Sequence, residues 1–344
     1  MKKKYLALCV SNALIVTSLS LGSMQAQANS DLTFSDKIVK VNGHVGLIAE
    51  TQDTVYYDPT GSKTGKATYR ENSIIDTALT FQEYPLDIFY AFKQFTDEYR
   101  SADGLDNQLE EGLKHLILLS TDYYIGNGLN VGASLNNEFA SSDRVYSGPW
   151  INGRYGKSEH LLEASAFVDY WNSRQGFGAY SYATYKYSNL VNDQQAGADW
   201  GDYDINGWAI STRPTMNFDS INIGVEFYYG KDESTGNVTD SHLQDFEEWL
   251  VEPSISYTGP YGTLTVRHRY AQQTTTQNGG QDEYFTTVNK TTIGYNYSYN
   301  SWRLGGEVEF THNDNEADTS WSGGKIDNGK NEVTRFMIFG QYAF

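Results

Sequence analysis

Alternation of apolar and polar positions dominates this 344-residue chain. It is clearest at the C-terminus, in Arg335-Phe336-Met337-Ile338-Phe339-Gly340-Gln341-Tyr342-Ala343-Phe344, where Phe336, Ile338, Gly340, Tyr342 and Phe344 fall at every second residue. A period of two marks a strand with one apolar face. After about Val41 the pattern predicts fourteen such strands: Val41–Glu50, Tyr69–Gln82, Asp87–Phe95, Lys114–Ile125, Leu129–Phe139, Pro149–Tyr155, Leu161–Trp171, Ile205–Phe218, Ile221–Tyr229, Trp249–Tyr257, Thr263–Tyr270, Phe285–Tyr297, Trp302–Phe310 and Thr334–Phe344. Each is close to the roughly 9–11 residues that a tilted strand needs to cross a bilayer.

The predicted connections alternate in length. Gly126-Asn127-Gly128, Gly156–His160, Asp219-Ser220, Gly259-Pro260 and Asn300-Ser301 are short; Thr51–Lys66, Thr96–Gly112, Gly230–Glu248, Ala271–Glu283 and Thr311–Val333 are long and polar. Tight turns at one rim and long loops at the other are the asymmetry of an outer-membrane barrel. Gly176–Tyr187 resists the count, because it carries Phe177, Tyr180, Tyr182, Tyr185 and Tyr187 and would make a fifteenth strand, whereas single-chain bacterial barrels use even numbers. The expectation is therefore fourteen strands with Asn172–Tyr203 as a long outer loop. The alternative is sixteen, with a weak strand in Asn189–Ala198. The fold class is all-β, a transmembrane antiparallel up-and-down β-barrel.

Strand parity assigns faces. Ile221, Ile223, Val225, Phe227 and Tyr229 point out, leaving Glu226 inside; Leu264, Val266 and Tyr270 point out, leaving Arg267 and Arg269 inside and His268 outside; Leu304, Val308 and Phe310 point out, leaving Arg303, Glu307 and Glu309 inside. The same parity puts Arg335, Lys290, Arg213, Arg154, Lys93 and Arg70 in the lumen, with Glu50, Asp76, Glu138, Glu163, Asp169 and Glu252. An Arg or Lys on the lipid face near the midplane would cost ~2–4 kcal/mol, so charges confined to one parity support a barrel. Candidate pore-lining residues are Arg154, Arg213, Arg267, Arg269, Lys290, Arg303, Arg335, Glu226, Glu252, Glu307 and Glu309.

Ahead of the strands, Lys2-Lys3-Lys4, a largely apolar run from Tyr5 to Leu21, and Ala26-Gln27-Ala28 have the layout of a cleaved signal peptide, residues 1–28, with the barrel spanning 29–344. The apolar run is shorter than the ~20 residues of a spanning helix. The single cysteine, Cys9, lies within the leader, so no disulfide is expected in the mature chain. The formal charge of −18 becomes three units more negative without the leader's lysines, which argues against nucleic acid as a partner. Only 39% of residues are hydrophobic, yet there are 27 Tyr and 32 Gly, the balance expected when one position in two faces lipid.

A barrel of fourteen strands is wider than side chains fill, so its polar lumen should be wet. The basic residues Arg267, Arg269, Lys290, Arg303 and Arg335 gather toward the C-terminal wall. They could pair with acids, set a transverse field against acids across the pore, or form a track for anionic solutes such as acidic sugars. Trp150 and Phe167 could serve as sugar slides if they face inward. Six scattered histidines (His44, His115, His160, His242, His268 and His312) show no nucleophile motif or metal spacing. The acid runs Asp97-Glu98, with Asp103 and Asp106, and Glu247-Glu248, with Asp245, lack the ordered ligand spacing of a calcium loop. No metal and no cofactor is expected.

The strand that stops at Phe344 resembles the C-terminal assembly signal of bacterial outer-membrane barrels. Leader, fourteen strands, one pore and terminal Phe together resemble the OmpG-like monomeric porins, as does the hairpin from Glu248-Trp249-Leu250-Val251-Glu252-Pro253-Ser254-Ile255-Ser256-Tyr257 into Thr263–Tyr270. That family's histidine pair on neighbouring strands has no counterpart here, so its gating is not implied. The resemblance implies passive diffusion of small hydrophilic solutes, ions and oligosaccharides across the bacterial outer membrane by a monomer. Its partners would be membrane lipid and lipopolysaccharide, and the barrel-assembly machinery, which would engage the Phe344 strand. The alternatives are an outer-membrane barrel enzyme or a loop-mediated adhesin with a closed lumen.

Overall fold

A computed structural model describes residues 30–34, 37–81, 85–148, 152–192, 202–236, 241–277, 281–319, 322 and 324–344. The expected leader, 1–28, and Trp150 lie outside the described residues. The strands are β1 (Ser30–Phe34), β2 (Lys37–Tyr57), β3 (Lys63–Phe81), β4 (Leu86–Ser101), β5 (Asn107–Gly126), β6 (Leu129–Ser147), β7 (Asn152–Asn172), β8 (Phe177–Asn192), β9 (Tyr203–Phe218), β10 (Ile221–Gly236), β11 (Ser241–Gly259), β12 (Gly262–Gln277), β13 (Asp282–Tyr299), β14 (Trp302–Asp318) and β15 (Ile326–Ala343). Each strand from β2 to β15 pairs antiparallel with its sequence neighbours, and β2 pairs with both β3 and β15. The result is a closed fourteen-strand barrel. The short β1 pairs with the start of β2 only.

Closure is made by the chain's last residue: Phe344 donates its N–H to Gly43 O at 2.9 Å and accepts from Gly43 N at 3.1 Å. Cα atoms of different strands approach within 8 Å only between sheet neighbours, so among the described residues no strand crosses the interior. A closed sheet has no free edge, and its ladders run the length of the strands with local breaks such as those at Gly46–Ala49 and Ser73–Ile75, so backbone groups are largely satisfied within the sheet, as hydrocarbon demands.

The outward face explains the membrane span. Along β10 it runs Ile221, Ile223, Val225, Phe227, Tyr229 and then turns polar at Lys231 and Glu233; beyond Trp249 on β11 come Glu247 and Asp245, and beyond Phe310 on β14 come His312 and Asp314. Aromatic rings bound this band. Trp208 and Tyr229 lie 5.4 Å apart and Trp249 and Tyr270 5.6 Å apart at one level, while Trp302 and Tyr342 lie 5.1 Å apart at the other. Two aromatic girdles around an apolar band are the lipid-facing surface of an outer-membrane barrel.

The rim holding Phe344 has tight turns. Asn127, Asp219 and Asn300 adopt left-handed backbone conformations there, with φ of 54°, 50° and 53°. Asn and Asp tolerate that region because their short polar side chains bond locally. At the opposite rim the long connections expected from sequence are largely strand. The hairpins keep pairing past the girdle, so strands run 16 to 21 residues and the connection from β2 to β3 shrinks to 58–62. Above the membrane both strand faces are polar, and hydrophobic alternation no longer reports the strand.

The total of fourteen is correct, but two of its parts are not. Of the expected strand Pro149–Tyr155, the described residues 152–155 form one strand, β7, with Leu161–Trp171, and Gly156–His160 is its middle rather than a turn. The segment expected as an outer loop contains β8, which pairs along its length with β7 and β9. The two errors cancel in the count. Asn189–Asn192, the described part of the alternative weak strand Asn189–Ala198, is the end of β8, and 193–201 lie outside the described residues.

Candidate functional site

The inward positions of β11–β15 and β2 carry chains of ion pairs. Arg269 Nε donates to Glu252 Oε2 at 2.8 Å, and Arg267 lies between Glu252 (3.9 Å) and Glu307 (3.3 Å). Lys290 is 3.3 Å from Glu309; Arg335 is 3.6 Å from Glu309 and 2.7 Å from Glu50 on the far side of the β15–β2 seam. These eight side chains form a belt of two runs of alternating sign, Arg269–Glu252–Arg267–Glu307 and Lys290–Glu309–Arg335–Glu50, side by side along the wall. A second group spans β3–β6: Lys93 is 2.7 Å from Glu71, Lys114 is 3.5 Å from Glu71 and 3.3 Å from Glu138, and the Tyr69 hydroxyl donates to Glu71 at 2.7 Å. Nearer the outer rim, Glu110 accepts from Arg144 and from Ser142 Oγ at 2.7 Å, with Lys157 3.9 Å away.

β8 and β9 stand diametrically opposite β15 and β2 in the strand order. The wall they centre has a different chemistry. Phe167 on β7 and Tyr180 on β8 are 5.7 Å apart by ring centroid, and Tyr180 and Tyr182 are 5.9 Å apart, a ladder of rings rising along the inward face. Tyr228 on β10 extends the ladder and packs against the buried cluster Leu250, Ala271 and Val288. Carboxylates lie beside the rings, held by neutral donors. Ser211 Oγ donates to Glu226 at 2.9 Å, Asn136 Nδ2 to Glu163 at 3.0 Å, and Gln273 Nε2 to Glu248 at 2.9 Å.

Of the residues singled out from sequence, Arg267, Arg269, Lys290, Arg303, Arg335, Arg213, Glu226, Glu252, Glu307 and Glu309 occupy the inward face. Arg303 lies over the Phe339 ring at 5.4 Å, and Arg213 Nη2 donates to Ser254 Oγ at 3.4 Å. Arg154 does not belong to this set. It pairs in register with outward-facing Val145, is 68% exposed, and binds the outward Asp143 at 2.5 Å. Arg70 is likewise outward and exposed, between inward Tyr69 and Glu71. Both lie in polar stretches where no apolar partner fixed the parity. Asp97-Glu98 and Glu247-Glu248 are strand neighbours and point to opposite faces, so neither run gathers into a cation site.

Sequence reasoning missed Lys114, Arg144, Lys157, Lys186, Tyr180, Tyr182 and Tyr228. Lys186 is 2.7 Å from Asp232 and belongs to β8. Counting parity upward from Leu161 through His160, Glu159, Ser158 and Lys157 would have exposed Lys157. Of the three roles left open for the C-terminal basic residues, the geometry supports pairing with acids: those that balance Arg267, Arg269, Lys290 and Arg335 sit beside them, not across the lumen. Among the described histidines, His44 lies 3.3 Å from the buried Asp76, whereas His115 and His160 face outward, stacked on Phe92 and Phe139 at 4.5 and 4.4 Å.

A closed, girdled barrel with a polar interior defines the class as an outer-membrane β-barrel channel. The family model described as "CymA: Putative cyclodextrin porin" matches residues 1–339, and the chain belongs to that family and to the bacterial outer membrane. Comparison with curated proteins finds no match. Among solved structures, a deletion mutant of the TodX monoaromatic hydrocarbon channel aligns with a TM-score of 0.52 at 11% identity, covering 88% of this chain and 90% of that one. A FadL homologue from Pseudomonas aeruginosa aligns at 0.48 and 10% identity, with 88% and 90% coverage. The first likeness supports the fold alone.

Proposed function

We propose that this protein is a monomeric, passive diffusion channel whose preferred solutes are neutral oligosaccharides. One observation carries the reading: the inward ladder Phe167, Tyr180, Tyr182 and Tyr228 faces a wall of ion-paired Arg, Lys and Glu side chains. A sugar ring has an apolar C–H face and an equatorial rim of hydroxyls. Aromatic rings receive the first; fixed carboxylates, guanidiniums and ammoniums hydrogen-bond the second. A row of such contacts, each weak, permits movement from one to the next. The family description names a cyclodextrin, a cyclic glucan, which fits this chemistry. The anionic-solute track loses its support, because Arg267, Arg269, Lys290 and Arg335 are paired with neighbouring acids and only Arg303 of the five is left without one among the described residues. No catalytic step and no cofactor enter the reading.

The test is current through single molecules of the refolded mature chain in a planar bilayer. Ohmic steps that appear one at a time, and brief interruptions whose frequency rises with added α-cyclodextrin or maltohexaose, are expected. A folded, inserted protein that passes no current would sink the channel and favour an adhesin or an enzyme. Steps that come in threes would sink the monomer.

A further inference from the structure

We propose that the channel prefers cations, and that the inward carboxylates of β7, β10 and β11 that have no Lys or Arg in direct contact, Glu226 and Glu248 above all, set that preference. The inference rests on the channel reading above, not on the identity of its sugar. It follows from which inward charges have partners. Lys93, Lys114, Arg144, Lys157, Lys186, Arg267, Arg269, Lys290 and Arg335 each lie within 4.0 Å of a carboxylate. Glu163, Asp169, Glu226 and Glu248, on β7, β10 and β11, have no Lys or Arg within that distance among the described residues. Inward acids elsewhere share that condition, among them Asp76 on β3, Asp97 on β4 and Asp122 on β5. Arg213 and Arg303 are the inward described cations without a carboxylate at that range; Arg303 sits toward the tight-turn rim, over Phe339.

The two kinds of group act differently on a passing ion. An ion pair presents a dipole, whose field falls off within a few ångströms. A carboxylate with no cation in direct contact keeps a longer-ranged field, reduced in part where Arg269 and Lys290 lie nearby. At about 7 Å in water one such charge changes the relative concentration of an oppositely charged ion on the order of 3-fold. The rings beside Glu226 work in the same direction, since a tyrosine face carries negative quadrupole density and attracts cations. K⁺ should therefore follow the β7–β11 wall, and Cl⁻ has no matching track of free arginines opposite.

The experiment is the reversal potential of the refolded mature chain under roughly 0.1 M against 0.01 M KCl, where the screening length is about 10–30 Å. The expected result is a K⁺ over Cl⁻ permeability ratio on the order of 3 or more. In Glu226→Gln with Glu248→Gln the ratio should fall toward one, while Glu98→Gln, on the outward face, leaves it unchanged. If the double variant does not give a heat-modifiable folded band, Glu226→Gln alone should give a partial fall. A wild-type ratio at or below one overturns the preference, and an unchanged ratio in a conducting double variant overturns the assignment to these residues. A conducting but unselective channel leaves the diffusion reading standing. A folded barrel with no current overturns both.

Discussion

The two facing walls of the barrel handle the same solvent in opposite ways. On β11–β15 and β2 the inward cations Arg267, Arg269, Lys290 and Arg335 are ion-paired with acids, and Arg335 is held between Glu309 and Glu50. On β7–β10 the rings of Phe167, Tyr180 and Tyr182 stack along the wall, and the nearby acid Glu226 takes its hydrogen bond from a serine. The first wall contributes rigidity and, across the β15–β2 seam, closure. The second is left with surface and charge to offer a solute. The difference teaches that lumen charge by itself says little about selectivity; whether a charge is paired decides what a passing molecule meets.

The largest expected effect separates the walls by stability. Arg335→Leu would leave Glu50 and Glu309 facing one another without their shared cation. Breaking a buried pair costs ~3–5 kcal/mol, and the wet lumen places this case near about 3. Equilibrium urea unfolding in detergent, followed by tryptophan fluorescence, measures it. A loss below ~1 kcal/mol would show the belt to be no stronger than surface pairs.

Next comes the aromatic wall. Tyr180→Ala with Tyr182→Ala removes two rings, each worth ~0.5–1.5 kcal/mol in contact energy. The residence time of α-cyclodextrin in the pore should shorten on the order of 30-fold, with steps of current retained. Unaltered residence would detach sugar binding from this wall.

The smallest effect is at the outer rim and belongs to neither wall, so it serves as a baseline. Asp58 caps the 58–62 turn: it accepts from Thr60 Oγ1 at 2.6 Å and from the N–H groups of Ser62 and Thr60 at 2.9 Å each. The Thr60 hydroxyl first, then these backbone donors, hold its carboxyl below the usual range. A depressed pKa stabilises the turn fully above the unfolded value, ~3.9, and the gain disappears as pH falls through the lower folded value. Amide exchange at Gly61 and Ser62 should quicken in that acid window and be independent of it in Asp58→Asn, while sugar block stays unchanged.

Much of the charged wall was legible in the chain. Thr263–Tyr270 and Trp302–Phe310 have an apolar residue at most outward positions, so Arg267, Arg269, Glu307 and Glu309 fell inward by parity alone. The aromatic wall was not legible. β8 carries Tyr180 and Tyr182 on one face and Tyr185 and Tyr187 on the other, so its rings cancel the alternation that marks its neighbours. In the middle of β7, Lys157 and Glu159 face in while Ser158 and His160 face out, and a pattern of hydrophobicity sees only a polar gap. Arg154 and Arg70 were misplaced for the same reason.

What the amino-acid order determined by itself was the face of each residue wherever apolar alternation runs through the bilayer, and the terminal aromatic strand, because parity is a property of consecutive residues and lipid enforces it. β8 and the unity of β7 were not determined that way. Only the tertiary structure decided which charges meet. Arg267 reaches Glu307 across forty residues and Arg335 reaches Glu50 across 285, through register between hydrogen-bonded neighbours and through closure of the sheet. Those depend on the stagger of the whole ring of strands, which no local stretch of sequence contains.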